Sequence, residues 1–357
     1  MRFLRKSNYY QDIRLFKFRS TFFWYLLLLL ALALMPLALD TYNISILNFI
    51  AIYSVAAIGL MLLTGYTGQV SLGHAAFFAI GSYTSAILTL KGVPFILALP
   101  MAGVFSGIIG IAVGFPALRL SGLYLAIATM GFGFIVEEIL SRWESLTRGN
   151  LGILVKKASI GPLIFNSEEK FFYLALLILI ITILLARNIL RSTTGRAMIA
   201  IRDSEIAAQT MGISLARYKT MAFAISAFFT GIAGSLYAHK IAFINPESYT
   251  IVLSIEFIIM IIIGGLGSIH GAIFGTAFVI MLPQIIIMVK DYLPVYLQEQ
   301  TGLQPAVYGL MVILFILFEP LGLYGRWRKV KFYFEMFPLY KKETFKKEKR
   351  YYKSERR

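Results

Sequence analysis

GYTGQVSLGHAAFFAIGSYTSAIL, from Gly65 to Leu88, sits among segments apolar enough to enter a lipid bilayer, yet it is crowded with Gly, Ser, Thr and Tyr and carries Gln69 and His74. In lipid, helices gain little from burying apolar surface against one another. They associate by close packing, so small residues line their contacts. Gly68, Gly73, Gly81, Ser71, Ala75 and Ser82 supply such a surface, and Gly265, Gly267 and Gly271 supply another. Tyr66, Thr67, Gln69, Ser71 and His74 are open to a second reading. Polar groups at membrane depth usually face a cavity or the bundle interior, and Gly-interrupted spans accompany binding sites in transporters. They therefore serve either as glue between helices or as the lining of a pathway.

The surrounding chain is that of a polytopic membrane protein. Of 357 residues 58% are hydrophobic, against about 45–50% in soluble domains, and the mean hydropathy is +0.75. A span needs about 20 mostly apolar residues. That criterion gives about ten candidates: 22–39, 44–63, 69–90, 94–114, 122–140, 171–188, 218–239, 249–264, 268–288 and 306–321. The expected fold is all-α, about ten transmembrane helices, arranged as two inverted five-helix halves of the kind common in transporters. An internal likeness between GQVSLGHAAF at Gly68 and GLGSIHGAIF at Gly265 pairs two helices that run the same way. It does not by itself support inversion.

No cysteine is present, which excludes disulfides, thiolate metal sites and a cysteine nucleophile. The three histidines, His74, His239 and His270, have no metal-ligand spacing. The net charge of +16 lies mostly in the chain ends and a few loops, where Lys and Arg mark the cytoplasmic side. Three regions follow: a basic cytoplasmic segment 1–21, a transmembrane domain 22–325, and a basic cytoplasmic tail 326–357. Loops near 245–247 and 290–304 then fall outside. The tail suits anionic lipid better than nucleic acid, because it is tethered beside the membrane.

The polar segment at about 191–215 contains a short helix. Ser204 caps it, Glu205 favours its N-terminal dipole end, and Gly212 suits its terminating turn. Small residues at Ala207 and Ala208 fit it for a groove on another protein. Among intramembrane acids, Glu256 stands near the middle of the eighth span, where a carboxylate is costly. It either meets a substrate ammonium or has a structural or gating role. Glu138 is spaced to pair with Arg142 at the outer end of the fifth span. Tyr124, with Thr67, Gln69, Ser71, His74 and Glu256, completes the candidate translocation path.

GRAMIAIRDSEIAAQTMGI at Gly195 resembles the cytoplasmic EAA-type loop of ABC importer permeases. With GYTGQVSLGHAAFFAIGSYTSAIL, RLSGLYLAIATMGFGFIVEEIL and SIEFIIMIIIGGLGSIHGAIFGTAF, it makes the region 42–325 similar to the permeases of branched-chain amino-acid ABC importers, LivM-type. The resemblance implies a non-enzymatic subunit of an ATP-driven importer in a bacterial inner membrane, both termini cytoplasmic. Its partners would be a homologous second permease, two ATPases that bind the ATP, and an extracytoplasmic substrate-binding protein. Arg202, Glu205, Ala207, Ala208 and Gly212 would dock on an ATPase. No cofactor or metal is expected in the chain, and no phosphate-binding G-x-x-x-x-G-K-[ST] is present. Thr147–Gly152 departs from the Thr-Gly-Gly-Ser-Asp-Gly-like run that such permeases often carry there: its acid is lost and Arg148 appears. Urea or short amides are the alternative cargo, and an ion-coupled secondary transporter the alternative machine.

Overall fold

The computed structural model describes residues 19–117, 120, 122–161, 163–290, 303–319 and 321–336. Most of the basic N-terminal segment, the tail beyond Met336 and most of the expected outer loop 290–304 lie outside the described residues. Among the described residues ten apolar helices form the bundle: α1 (Arg19–Ala38), α2 (Thr41–Leu60), α3 (His74–Leu90), α4 (Phe95–Ala117), α5 (Leu123–Arg142), α6 (Glu168–Arg191), α9 (Leu215–Ile241), α10 (Ile251–Gly264), α11 (Ile269–Lys290) and α12 (Leu303–Phe318). Between α6 and α9 lie α7 (Thr193–Asp203) and α8 (Glu205–Thr210); α13 (Gly322–Met336) follows α12. Seven helical stretches among the described residues are long and apolar enough to cross a membrane. Among the described residues strands are limited to two-residue pairs, with β1 (Ile153–Leu154) antiparallel to β4 (Phe243–Ile244) and β2 (Ser159–Ile160) antiparallel to β3 (Leu163–Ile164). The molecule is an all-α polytopic membrane protein.

α2 and α9 form the buried centre, and Ile52, Val55, Ile58, Leu60, Phe223, Phe229 and Leu236 are almost wholly shielded. α4 packs against α9 through a stripe of glycines at 103, 107, 110 and 114, spaced one helical turn apart. A Cβ at Gly107 would stand 3.3 Å from the Ala224 carbonyl oxygen, and one at Gly114 3.2 Å from Thr220 Cα. Backbones this close gain dispersion contacts that lipid cannot match. α3 runs parallel to α9 and is joined to it still more tightly. A Cβ at Gly81 would overlap the backbone of Gly231, and one at Gly234 the carbonyl of Phe78. α1 lies at the periphery, with Leu26–Leu30 exposed, and is held to α6 by Tyr173 donating to the Ala33 carbonyl at 2.9 Å.

Two spans differ from their expected bounds. The second helix does not stop at residue 63: α2 runs on through a π-turn, Met61–Gly65. The third does not begin at Gln69: residues 68–73 are non-helical and α3 starts at His74. A second break, Gly265–Ser268, separates α10 from α11, with Gly265 and Gly267 at φ +107° and +80°, angles that favour glycine. Between the expected spans 122–140 and 171–188, the chain is organised by a turn of helix at Glu144–Thr147 and by the two small sheets.

Candidate functional site

The two helix breaks meet. A Cβ on Gly65 would stand 2.8 Å from the Gly267 nitrogen, and that N–H donates to Met61 Sδ at 3.2 Å. Breaking a helix inside a bundle frees backbone groups that must find other partners. At the end of α2, Thr67 Oγ1 donates to the Leu62 carbonyl at 2.9 Å, Thr64 Oγ1 to the Gln69 carbonyl at 3.0 Å, and the Gln69 N–H to the Leu63 carbonyl at 3.2 Å. At the start of α3, the Leu72 N–H donates to Thr129 Oγ1 at 3.0 Å and the Ala75 N–H to Ser254 Oγ at 2.8 Å. Ser268 Oγ likewise accepts from the Gly271 N–H at 3.1 Å. Much of the polarity of the opening stretch therefore satisfies a helix discontinuity, an alternative to the glue and pathway readings.

The rest of that polarity forms a seam between α3 and α9. His74 is fully buried, with Nδ1 3.0 Å from Ser71 Oγ and Nε2 2.7 Å from Ser226 Oγ. Ser82 Oγ lies within 2.8 Å of the Gly234 carbonyl, which accepts from it. Ser235 donates to Ser85 at 2.7 Å, and Ser85 meets His239 Nε2 at 3.0 Å. Gln69 and Tyr83 are exceptions: both are buried, and Gln69 Oε1 and Tyr83 Oη have no hydrogen-bond partner among the described residues. Of the candidate path residues, Thr67, Gln69, Ser71 and His74 gather around the break, whereas Tyr124 is 73% exposed on the outside of α5.

Gly68, Gly73, Gly81, Gly265, Gly267 and Gly271 all sit at close contacts. Gly73 lies against the Thr129 carbonyl of α5, Gly265 against the Leu321 carbonyl, and Gly271 against the Gly264 and Gly265 carbonyls. Gly68 and Gly267 are covered by one side chain, that of Arg202 at the end of α7; a Cβ on either would stand 3.3 Å from it. Arg202 Nη1 also donates to the Gly65 carbonyl at 3.2 Å, while its other nitrogens bind Asp203 Oδ1 at 2.8 and 3.0 Å. One guanidinium thus ties both breaks to the polar segment.

That segment folds as its residues dictate. Ser204 Oγ accepts from the Ala207 N–H at 3.2 Å, capping α8, and Gly212 closes it at φ +80°. Glu205 pairs with Lys219 of α9 at 2.7 Å, and the Lys219 side chain is only 5% exposed. Ala208 faces the protein's own interior and is buried, so it seats α8. The outward surface is made by Ile206, Ala207 and Met211, with Ile206 79% and Met211 83% exposed. Ile206 and Met211 are not apparent from the motif, because apolar residues on a short amphipathic helix ordinarily point inward.

Glu256 is half-buried on α10 beside an aromatic cluster. Tyr53, Phe78, Tyr237 and Phe257 have ring centroids 5.2–6.1 Å apart. Its carboxylate lies within electrostatic reach of Tyr53, Tyr237 and Tyr308, and no cation pairs with it among the described residues. At the far end of the bundle, Lys240 pairs with Glu168 and donates to Ser45 Oγ at 3.1 Å, while Asn48 donates to Glu168 Oε2 at 2.9 Å.

No solved structure matches the chain. The high-affinity branched-chain amino acid transport system permease protein LivM of Salmonella typhimurium is 34% identical over 325 residues, covering 84% of this chain and 74% of that protein. LivM of Escherichia coli K12 is 34% identical over 322 residues, covering 83% and 73%. The permease protein LivH of the same Salmonella system is 28% identical over 297 residues, covering 77% and 91%. The family described as branched-chain amino acid transport system / permease component matches residues 42–318. That span holds both helix breaks, the α3–α9 seam and the capped helix α8, and the chain belongs to this permease family.

Proposed function

We propose that the chain is one permease subunit of an ATP-driven importer that moves branched-chain amino acids inward by alternating access. It works with a second permease of the LivH kind, two ATPase subunits that bind and hydrolyse the ATP, and an extracytoplasmic binding protein. The ten apolar helices cross a bacterial inner membrane, with the basic segments 1–21 and 326–357 cytoplasmic. α7, α8 and both breaks then lie at the cytoplasmic end, and the Lys240–Glu168 pair at the outer end.

The observation that carries this reading is the construction of α8. Its outer face offers Ile206, Ala207 and Met211 to a partner, its inner face is fixed by Ala208 and the Glu205–Lys219 pair, and Arg202 connects its base to the two breaks. A push on α8 thereby reaches the points where α2, α3, α10 and α11 change direction. Both breaks are held by hydrogen bonds and by Arg202, and releasing that hold opens the cytoplasmic end.

The test is co-purification and uptake with the cognate ATPases and binding protein. Ile206→Asp with Met211→Asp lies outside the bilayer, so the permease should insert and fold normally, lose its ATPases and lose ATP-dependent uptake. Normal ATPase retention and uptake in that variant would remove α8 as the coupling element. Uptake of leucine against urea and acetamide by the intact assembly decides the cargo.

A further inference from the structure

The segment between α5 and α6 is fixed to the bundle more firmly than a connection between two spans requires. Thr147 Oγ1 lies 2.7 Å from the Leu140 and Trp143 carbonyls, and the Val155 N–H donates to the Ala242 carbonyl at 2.9 Å. From Ile153 to Lys156 the side chains alternate as on any strand: Ile153 and Val155 are buried, Leu154 and Lys156 exposed. His239 Nδ1 donates to the Lys156 carbonyl at 2.6 Å, so its Nε2 accepts from Ser85, and the platform is joined to the α3–α9 seam.

The outward face of this platform is apolar at its centre. Leu151 is 87% and Leu154 71% exposed. Phe243, the ladder partner of Leu154 on β4, is exposed beside it, and its ring covers Gly152: a Cβ there would stand 2.6 Å from Phe243 Cζ. Leu151, Leu154 and Phe243 thus form one patch around Gly152. A ladder two residues long leaves its edges unpaired, and exposed irregular backbone does not enter the lipid core. The patch therefore stands in water, where large apolar side chains held in a fixed, exposed array mark an interaction site. Arg148, Lys156 and Lys157 are exposed around it, and Glu144 and Glu247 are exposed at the same end of the bundle. Arg148 and Lys156 form no ion pair among the described residues. Lys and Arg are ordinarily sparse on the outer side of a membrane protein, so unpaired cations there call for acids opposite them. Arg148 also holds φ +58°, a conformation that favours glycine. Arg148 and Leu151 are two of the positions at which Thr147–Gly152 departs from Thr-Gly-Gly-Ser-Asp-Gly.

We infer that Leu151, Leu154 and Phe243, rimmed by Arg148 and Lys156, form the docking surface for the extracytoplasmic binding protein, whose facing surface carries an apolar patch bordered by carboxylates. The inference rests on the importer reading above and names where that partner lands. An apolar centre within a charged rim is the anatomy of a protein interface, and the charges set its register and its rate of encounter. An anionic lipid surface would engage the cations alone and would be repelled by Glu144 and Glu247. So small a centre suits a partner that docks, delivers and leaves. Docking bears on Lys156 and, through His239, on Ser85 and Ser235 in the α3–α9 seam.

The experiment uses the intact assembly in nanodiscs and the purified cognate binding protein loaded with leucine. Biolayer interferometry reads docking, and leucine uptake is read in proteoliposomes. Leu151→Asp with Leu154→Asp should weaken docking about tenfold or more, the loss expected when anchors at the centre of an interface are removed. Arg148→Glu with Lys156→Glu should slow association and flatten its dependence on salt. Ile164→Asp, at an exposed apolar residue of the other small sheet, should alter neither. An equal loss with Ile164→Asp, or unchanged docking in both double variants, would overturn the surface. Because the chain has no cysteine, Leu151→Cys carrying a benzophenone maleimide reports the occupant without a change of charge. It should cross-link the binding protein; adducts confined to lipid or to the second permease would overturn the inference. A membrane-impermeant maleimide should label Leu151→Cys in intact cells, and labelling only after permeabilisation would overturn the orientation and the surface with it. Wild-type uptake that requires the binding protein upholds the importer reading even where the variants dock normally, so the two failures are told apart.

Discussion

Gly81 and Gly131 both lie in apolar helices, yet adding one methyl group to each should act with opposite sign. A Cβ on Gly81 would overlap the carbonyl oxygen, Cα and carbonyl carbon of Gly231, whereas a Cβ on Gly131 meets nothing within 4 Å. Overpacking costs about 1–3 kcal/mol when side chains can yield. Here the obstructing atoms are backbone, so Gly81→Ala should cost at least the upper end of that range. Separating the helices to relieve it would also stretch the Ser82–Gly234 and Ser85–Ser235 hydrogen bonds, at 2.8 and 2.7 Å, each contributing about 1 kcal/mol. Gly131→Ala only reduces the freedom of the unfolded helix and should stabilise by about 0.4–1 kcal/mol. Thermal unfolding of the purified permease in mild detergent measures both. At about 2–4 °C per kcal/mol, Gly81→Ala should lower the midpoint by at least several degrees and Gly131→Ala should raise it slightly. A midpoint for Gly81→Ala at or above that of wild type would show that the α3–α9 contact is not as close as described.

Four further outcomes follow from the site. Arg202→Met should leave ATPase binding intact but lower the uptake achieved per ATP hydrolysed, because the link from α7 to both breaks is cut; an unchanged ratio would dissociate Arg202 from coupling. Lys219→Met leaves Glu205, which is 44% exposed, without its partner, and should loosen α8 at a cost of about 1–3 kcal/mol, read as weaker ATPase pull-down that Glu205→Gln in the same chain partly restores. Glu256→Gln replaces a half-buried carboxyl that no cation meets among the described residues, so the thermal midpoint should rise while uptake falls; unchanged uptake would leave Glu256 no part in transport. Lys240→Met strands the Glu168 carboxylate and should destabilise by about 3 kcal/mol, with the double variant Lys240→Met, Glu168→Met recovering most of it.

The spans were legible because apolar runs of membrane length have few other solutions. The ends near Gly65 and His74 were not, since a helix break leaves the same Gly- and Ser-rich signature as a packing face. Ser204 and Gly212 were readable as a cap and a stop, because both act on their own neighbours in the chain. The direction in which Ala208 points was not, because it is decided by the docking of α8 on α9. Arg202 stood out in the motif only by resemblance. Its grip on Gly65, Gly68 and Gly267 is a long-range contact with no local trace. The helix continuing into the tail was hidden by charge: a run rich in Lys and Arg reads as solvated chain until its aromatic residues are placed on one helical face.

The polar seam also has a consequence for synthesis. His74, Ser82 and Ser85 find their partners in Ser226, Gly234, Ser235 and His239, some 150–154 positions later in the chain. At about 5–20 residues per second, α3 leaves the ribosome roughly 8–30 s before α9 exists. During that interval α4 and α5 are in place to pack on α3, but its histidine and serines lack the partners that α9 supplies. Truncations ending before residue 226 should therefore be recognised and degraded, even though the helices that they contain are apolar enough to insert.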